Sequence, residues 1–526
     1  MFQIILAFIV VAFTAFYLRV KYRMTYWRRQ GVAEDPGTFP FGGAHIWGTL
    51  RRTIPFTRMT DRPYKEFPEE KVVGMYDMFG SPALLLRDLD LAKRILIKDF
   101  VHFRERKRAV PEGASRLDPK SPALTYLARM LVEIQGKQWK HTRASLTPIF
   151  TGAKLRTMLP LIHAVADQCD AFLECKADSV EGAKSFDTEE LMRKVACDLI
   201  ISTGFGYQSD SIKNPDNIFR QNAEKLLPRA ITLKQTMTIV LFRYLPSLSG
   251  YFSTLAPLEI DAQDFFADAI SKIINKRRQT GERWNDFIDI TLDILRKEAA
   301  TTSEETPATQ EKDQKEMELI LISNNIMMFL AGFSTVSSTL SAFLYHLAKN
   351  QDCQETLYKE IKEAVENADT EKLDYETVTN LQYMEMSFQE NMRMSPFVHL
   401  ERYAVADYKI PNTEIIIPKN TCVRFPSTGI SKDPKYFPEP HRFNPENFNA
   451  QNKAERHPLT SGGFGHGPRN CIAQRFATME VKIIIARILT RYRVVTCDRT
   501  VPQLIPDPTK RFGQCKGDIW LAVERR

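Results

Sequence analysis

Residues 461–476, SGGFGHGPRNCIAQRF, constrain this chain more than any other stretch. Gly462, Gly463, Gly465 and Gly467 make a loop whose backbone needs unusual dihedrals. The sequence then turns at once into CIAQRFATMEVKIIIARIL, which has helical spacing. One thiol, Cys471, stands where loop meets helix. Loop N–H groups, the positive end of the helix macrodipole and Arg469 two residues away all favour a negatively charged sulfur. Such a thiolate is either a nucleophile or a metal ligand.

The rest of the chain bounds the choice. Its 526 residues, 43% hydrophobic and 26% charged, describe a globular protein with a large core. A net charge of +8 without long basic tracts argues against a nucleic-acid partner and suits an acidic protein surface or anionic lipid. The eight cysteines form no C-x-x-C pair, so neither structural zinc nor a disulfide framework is expected. Residues 2–18, FQIILAFIVVAFTAFYL, are followed by Arg19, Lys21, Arg23, Arg28 and Arg29. As a helix they span roughly 25 Å, near the lower limit for a hydrocarbon core of about 30 Å. Charge after the apolar run, not before it, predicts a single-pass anchor with everything downstream on the cytoplasmic side.

Behind the anchor, AEDPGTFPFGG (33–43) reads as a hinge. KVVGMYDM (71–78) and PALLLRD (82–88) read as strands, and helical periodicity dominates from about 120 to 350. The polar stretch 297–316 reads as an exposed loop, and strand-like patches return at 402–410, 413–418, 421–426 and 518–524. The fold class is mainly α with small antiparallel β-sheets.

A thiolate ligating haem iron accounts for the whole loop: glycines leave room for a flat macrocycle, Arg469 can meet a propionate, and a buried helix backs the sulfur. FGHGPRNCIAQRFA resembles the haem-binding loop of the cytochrome P450 family, the haem-thiolate monooxygenases. The family pattern falls on Phe464, Gly467, Arg469 and Cys471, with Ala473 where glycine is usual. Three further constellations match. Glu390 and Arg393 are three apart on one helix face, and the resemblance adds Arg442 to them in a buried ionic cluster. Trp139 and Arg143, four apart, together with Arg402 and Arg469, are the expected donors to the two propionates. In NNIMMFLAGFSTVSSTLSAFLYHL (324–347), Ala331 and Gly332 are expected to leave room for ligand. Thr335 matches the threonine that helps deliver protons, and Ser334 replaces the usual acid beside it.

The resemblance implies a cytochrome P450 fold preceded by a transmembrane helix: anchor 1–20, basic flank and hinge 21–43, catalytic domain 44–526. It implies haem b held by Cys471, with Thr335 and Ser334 steering protons. It also implies an endoplasmic-reticulum location, electrons from NADPH-cytochrome P450 reductase or cytochrome b5, and an apolar substrate; the loop form is most similar to insect detoxification members. Phe103, Phe205, Phe329, Phe333, Phe397 and Phe512 are expected to line the pocket. Lys137, Lys140, His141, Arg475 and Lys482 are expected to form a basic docking face for the electron donor. Two rival readings keep the haem: an isomerase or dehydratase that does not use O₂, and a haem-binding sensor without turnover.

Overall fold

The long apolar stretch forms one helix, Pro307–Lys349, which runs through the body of the protein. The computed structural model describes residues 2–38, 42–43, 47–48, 51–108, 122–177, 184–227, 232–244, 259–301, 307–368, 372–395, 400–510 and 514–526. Proline suits the first turn of the long helix, where its missing N–H has no partner to lose. The helix packs along Thr188–Phe205, and Gly332 is what lets the two touch: a Cβ there would lie 2.3 Å from Ile200 Cδ1. Gly332 therefore serves helix packing, not ligand space as its place in the sequence suggests.

Of the stretch 297–316, only 302–306 lies outside the described residues. A helix reaches Thr301, and the next begins at Pro307. Glu, Lys, Gln and Ala are good helix formers, which accounts for helix on both described flanks of this polar stretch.

The strand readings hold for Val72–Asp77 and Ser81–Leu86, which pair antiparallel with Val72 opposite Leu86. They join Cys422–Phe425 and Leu400–Tyr403 in a four-stranded sheet. Ser81–Leu86 and Cys422–Phe425 pair parallel, Ala83 opposite Cys422, so this sheet is mixed. A second sheet pairs Tyr492–Val495 with Trp520–Arg525, and the latter with Phe186–Asp187, both antiparallel. One core cluster lies among the helices and a second surrounds the four-stranded sheet. All eight cysteines are free.

The N-terminal run is a helix, Phe2–Arg23, with Val20 its one buried residue. Its far end docks on the turn between the first two strands. Phe16 meets Phe79 edge-on at 5.7 Å, and Arg23 donates to Ser81 Oγ at 3.0 Å. The basic flank and the start of the expected hinge are packed. Trp27 is fully buried, its indole N–H donates to Met75 O at 3.1 Å, and Asp35 N–H donates to Gly74 O at 2.8 Å. Val20, Trp27, Val32 and Asp35, ahead of the expected boundary at 44, are buried.

Candidate active site

The glycine loop closes on itself before it offers its sulfur. Cys471 N–H donates to Phe464 O at 2.8 Å, and Asn470 N–H to Gly467 O at 2.9 Å. Phe464 stacks on Phe388 at 6.2 Å, which fixes the loop against the helix Gln382–Met394. Gly467 has φ 73°, and a Cβ there would sit 2.1 Å from Leu96 O, so this position admits glycine alone. Cys471 is accessible, three residues ahead of the helix Gln474–Arg491. Desolvation raises its thiol pKa, while the Ala473 N–H and the Arg143 and Arg106 guanidinium groups pull the other way. These donors favour the thiolate whenever a cation is there to share its charge.

Arginines crowd the loop. Arg143 donates to Asn470 O at 3.0 Å and to Asn470 Oδ1 at 2.7 Å, spanning the residue next to Cys471. Arg469 donates to Arg104 O, Leu131 O and Ile134 O, and reaches Glu105 at 3.3 Å. Its guanidinium lies 4.0 Å from the centroid of the Trp139 ring. Arg402 is fully buried; it donates to Glu401 O and His466 O, but its Nε finds no partner among the described residues. Burial first, then Arg106 and Arg469, drive the Arg402 pKa well below the usual arginine range. Burial, with Arg106 next, lowers that of Arg469 to about 9.

The site thus carries an excess of buried positive charge and an orphan guanidinium N–H. A buried cation left this way costs several kcal/mol, about 3–5 when a pair is broken. Dianionic propionates on a flat ring answer both features, and the thiol answers the metal. The residues present fit haem.

Arg143, Arg402 and Phe464 each touch or belong to the loop that carries Cys471, and Trp139 meets it through Arg469. Arg106 joins them unannounced, donating to Arg469 O at 2.9 Å. Only the basic run 103–108 hinted at it, with no spacing to mark one residue.

On the long helix, the Thr335 hydroxyl donates to Ala331 O at 2.6 Å, and the two residues share the accessible face. Ser334 is buried on the adjoining face, and its carbonyl accepts from the Ser337 hydroxyl at 3.0 Å. Thr335 can present an O–H to a ligand beside Ala331; Ser334 cannot do so without rearrangement.

Three expectations need correction. The phenylalanines Phe205, Phe329 and Phe333 are core residues: Phe329 lies 4.3 Å from Phe266 and 5.7 Å from Phe333, all buried. Phe103 is equally buried, against Tyr408, while Phe397 and Phe512 lie outside the described residues. Aromatic content in a pocket segment did not reveal which way the rings face. The Arg442 side chain is exposed on Glu439 and contributes to the ionic cluster only a carbonyl, which accepts from Arg393. Asn447 takes the place expected of it, donating to Glu390 Oε1 at 3.2 Å. Lys482 is buried, paired with Glu385 at 2.8 Å, and cannot dock a partner.

A cysteine so placed, ahead of a buried helix and with Arg143 and Arg106 beside it, on a loop held by further buried guanidinium groups, defines the class of haem-thiolate proteins. The model of the Cytochrome P450 family matches residues 38–518, and the chain belongs to that family. Its members bind haem through a cysteine thiolate and act as monooxygenases. The chain is 30% identical over 517 residues to "Cytochrome P450 6B7" of Helicoverpa armigera, which covers 98% of this chain and 97% of the relative. It is 30% identical to "Probable cytochrome P450 6g2" of Drosophila melanogaster, over 97% of this chain and 96% of that one. It is 31% identical to "Cytochrome P450 6k1" of Blattella germanica, over 94% and 92% of the two chains.

Proposed function

We propose that this chain is a membrane-anchored monooxygenase of apolar small molecules, in which Cys471 would ligate the haem iron and electrons would come from NADPH through a reductase, with cytochrome b5 a second donor. The observation that carries it is the cluster of guanidinium groups, Arg402 and Arg469 buried and Arg143 on Asn470, that holds the loop presenting an accessible Cys471. Bound haem supplies oxygen activation: one atom of O₂ enters the substrate and the other leaves as water, consuming two electrons and two protons. Arg402 and Arg469 would hold the propionates, with the Trp139 ring against the Arg469 guanidinium and Arg143 bracing the loop at Asn470. Arg106 locks the Arg469 carbonyl, so the cluster keeps its shape as charge moves.

Thr335 holds and passes the protons. Its hydroxyl can swing from Ala331 O to a ligand on the accessible face, a short step for a group already at 2.6 Å. Ser334 acts only through the position it gives Thr335. The anchor Phe2–Arg23 places the catalytic body on the cytoplasmic face of the endoplasmic reticulum.

Reduced protein under carbon monoxide should show the red-shifted band of a thiolate haem, and Cys471→Ser should lose it; an intact band in that variant overturns the ligand assignment. Product formed per NADPH then separates the roles on the helix. Thr335→Ala is expected to release more peroxide and less product, and Ser334→Ala to change the ratio little. Conversion of a lipid hydroperoxide without NADPH, with no substrate that triggers O₂ uptake, would replace this reading with the isomerase or dehydratase.

A further inference from the structure

Glu105 stands where the elements that carry Arg402, Trp139 and Arg469 meet. Its backbone carbonyl accepts from Tyr403 N–H at 2.9 Å, which ties it to the strand that bears Arg402. Its Oε1 accepts from Gly136 N–H at 3.0 Å, at the start of the helix Gly136–Leu146 that bears Trp139 and Arg143. An N–H in that first turn has no partner within the helix, and the positive end of the macrodipole favours a carboxylate beside it. Its Oε2 reaches the Arg469 guanidinium at 3.3 Å. Arg104, on the exposed side, donates to Oε1 at 3.1 Å.

The Arg469 guanidinium has little freedom left. Nε donates to Arg104 O at 3.0 Å, Nη1 to Leu131 O at 3.3 Å, and Nη2 to Ile134 O at 3.2 Å and to Glu105. Of the five N–H groups of an arginine, one on Nη1 is unbonded among the described residues, and its direction is set by the partners of the others. Those partners are backbone carbonyls except for Glu105, which brings charge. The Trp139 ring covers the same guanidinium at 4.0 Å, and its helix starts at the same carboxylate. Glu401 and Glu133 act electrostatically on Arg106, and Glu401 on Arg402 as well.

We propose that Glu105 is a positioning residue for the haem propionates, an inference that rests on the reading of this site as a haem pocket. Its carboxylate aims the remaining Arg469 N–H and supplies the fixed negative charge that balances that guanidinium. It touches no reacting atom. Reduction of the bound iron by one electron from the electron donor adds a negative charge to the site, and Glu105 opposes it. Hydrogen bonds and charge one contact away from a haem tune its potential, so Glu105 holds the potential of this site down.

Glu105→Gln keeps the length of the side chain and an oxygen for Gly136 N–H, and it removes the charge. Glu105→Asp keeps the charge and shortens the arm. The test takes the haem-loaded full chain in detergent micelles. It measures the midpoint potential by anaerobic dye-mediated titration and the rate of haem transfer to apomyoglobin. Glu105→Gln should show the parent's carbon monoxide band, and its potential should rise by about 59 mV, a tenfold change in the one-electron equilibrium constant. Glu105→Asp should stay nearer in potential to the parent than to Glu105→Gln. It should release haem about tenfold faster, because the shorter arm no longer spans Gly136 and Arg469. An unmoved potential in Glu105→Gln overturns the proposal, as does an equal shift in both variants. Earlier melting of both variants with potential and haem release unchanged makes Glu105 a structural residue only and overturns it too. If Glu105→Gln retains no haem, Glu105→Asp decides: haem held at the parent's potential supports the role of the charge, and haem lost from both overturns it. A parent without the thiolate band sinks the haem reading itself, whereas the comparison of the variants decides Glu105.

Discussion

Glu480 lies on the helix behind Cys471, fully buried, with both carboxylate oxygens lacking a hydrogen-bond partner among the described residues. Burial alone pushes its pKa well above the ordinary 4.5 and so favours the protonated form. The folded state binds this proton more tightly than the unfolded state. Its contribution to stability is therefore complete below about pH 4.5 and fades as pH rises toward the folded pKa, at about 1.4 kcal/mol per pH unit. Glu480→Gln keeps the shape and removes the titration. The variant should match the parent near pH 4.5 and gain on it steadily above; parallel melting curves from acid to mild alkali would refute this. At this scale, Cys471, Arg469, Trp139, Arg143 and Arg402 were legible because motif and local spacing mark them. Arg106 and Asn447 were not, since each acts through a contact made by distant parts of the chain.

Among the elements, the pairing of Glu390 and Arg393 does what its spacing promised. The guanidinium meets both carboxylate oxygens at 2.7 Å. It also donates to Ser431 O and Pro440 O and lies 4.7 Å from the Phe437 ring centroid. Glu390 in turn accepts from Asn444 N–H at 2.8 Å. One helix thereby grips the irregular segment 431–447, which leads into the cysteine loop. Arg393→Ala strands a buried carboxylate and should cost about 3–5 kcal/mol, read as a lower denaturant midpoint and earlier haem loss. Arg442→Ala leaves the carbonyl that Arg393 uses, so its midpoint should match the parent; a matching collapse of both variants would restore Arg442 to the cluster. Helix type was readable from apolar period alone in 324–347. Helix faces were not: Gly332 and Phe333 turn toward Thr188–Phe205, which no single stretch of sequence discloses.

At the scale of the molecule, electron delivery and membrane attachment divide the surface. Lys137, Lys140 and Arg475 are exposed around the cysteine loop, while Lys482 is withdrawn into its pair with Glu385. Screening acts over about 10 Å at 0.1 M salt, so an acidic donor steered to this face should reduce the haem more slowly as salt rises. Lys140→Glu/Arg475→Glu should slow reduction at low salt and flatten that dependence, with substrate binding unchanged; equal rates would remove the docking face. The N-terminus makes the sharper test, because anchor and body overlap in sequence. Removing residues 2–18 takes away exposed apolar surface and spares Val20, Trp27 and Val32, all buried. The shortened chain should fold, keep its haem band and leave the membrane fraction. A cut at 31 also removes Trp27, whose indole fills the space beside Gly74, where a Cβ would lie 2.4 Å from the ring. Losing a buried tryptophan costs about 3–5 kcal/mol, so this second chain should melt earlier and shed haem. If both truncations melt alike, the flank acts as a hinge apart from the body, and its packing against Met75 and Tyr76 contributes nothing to stability.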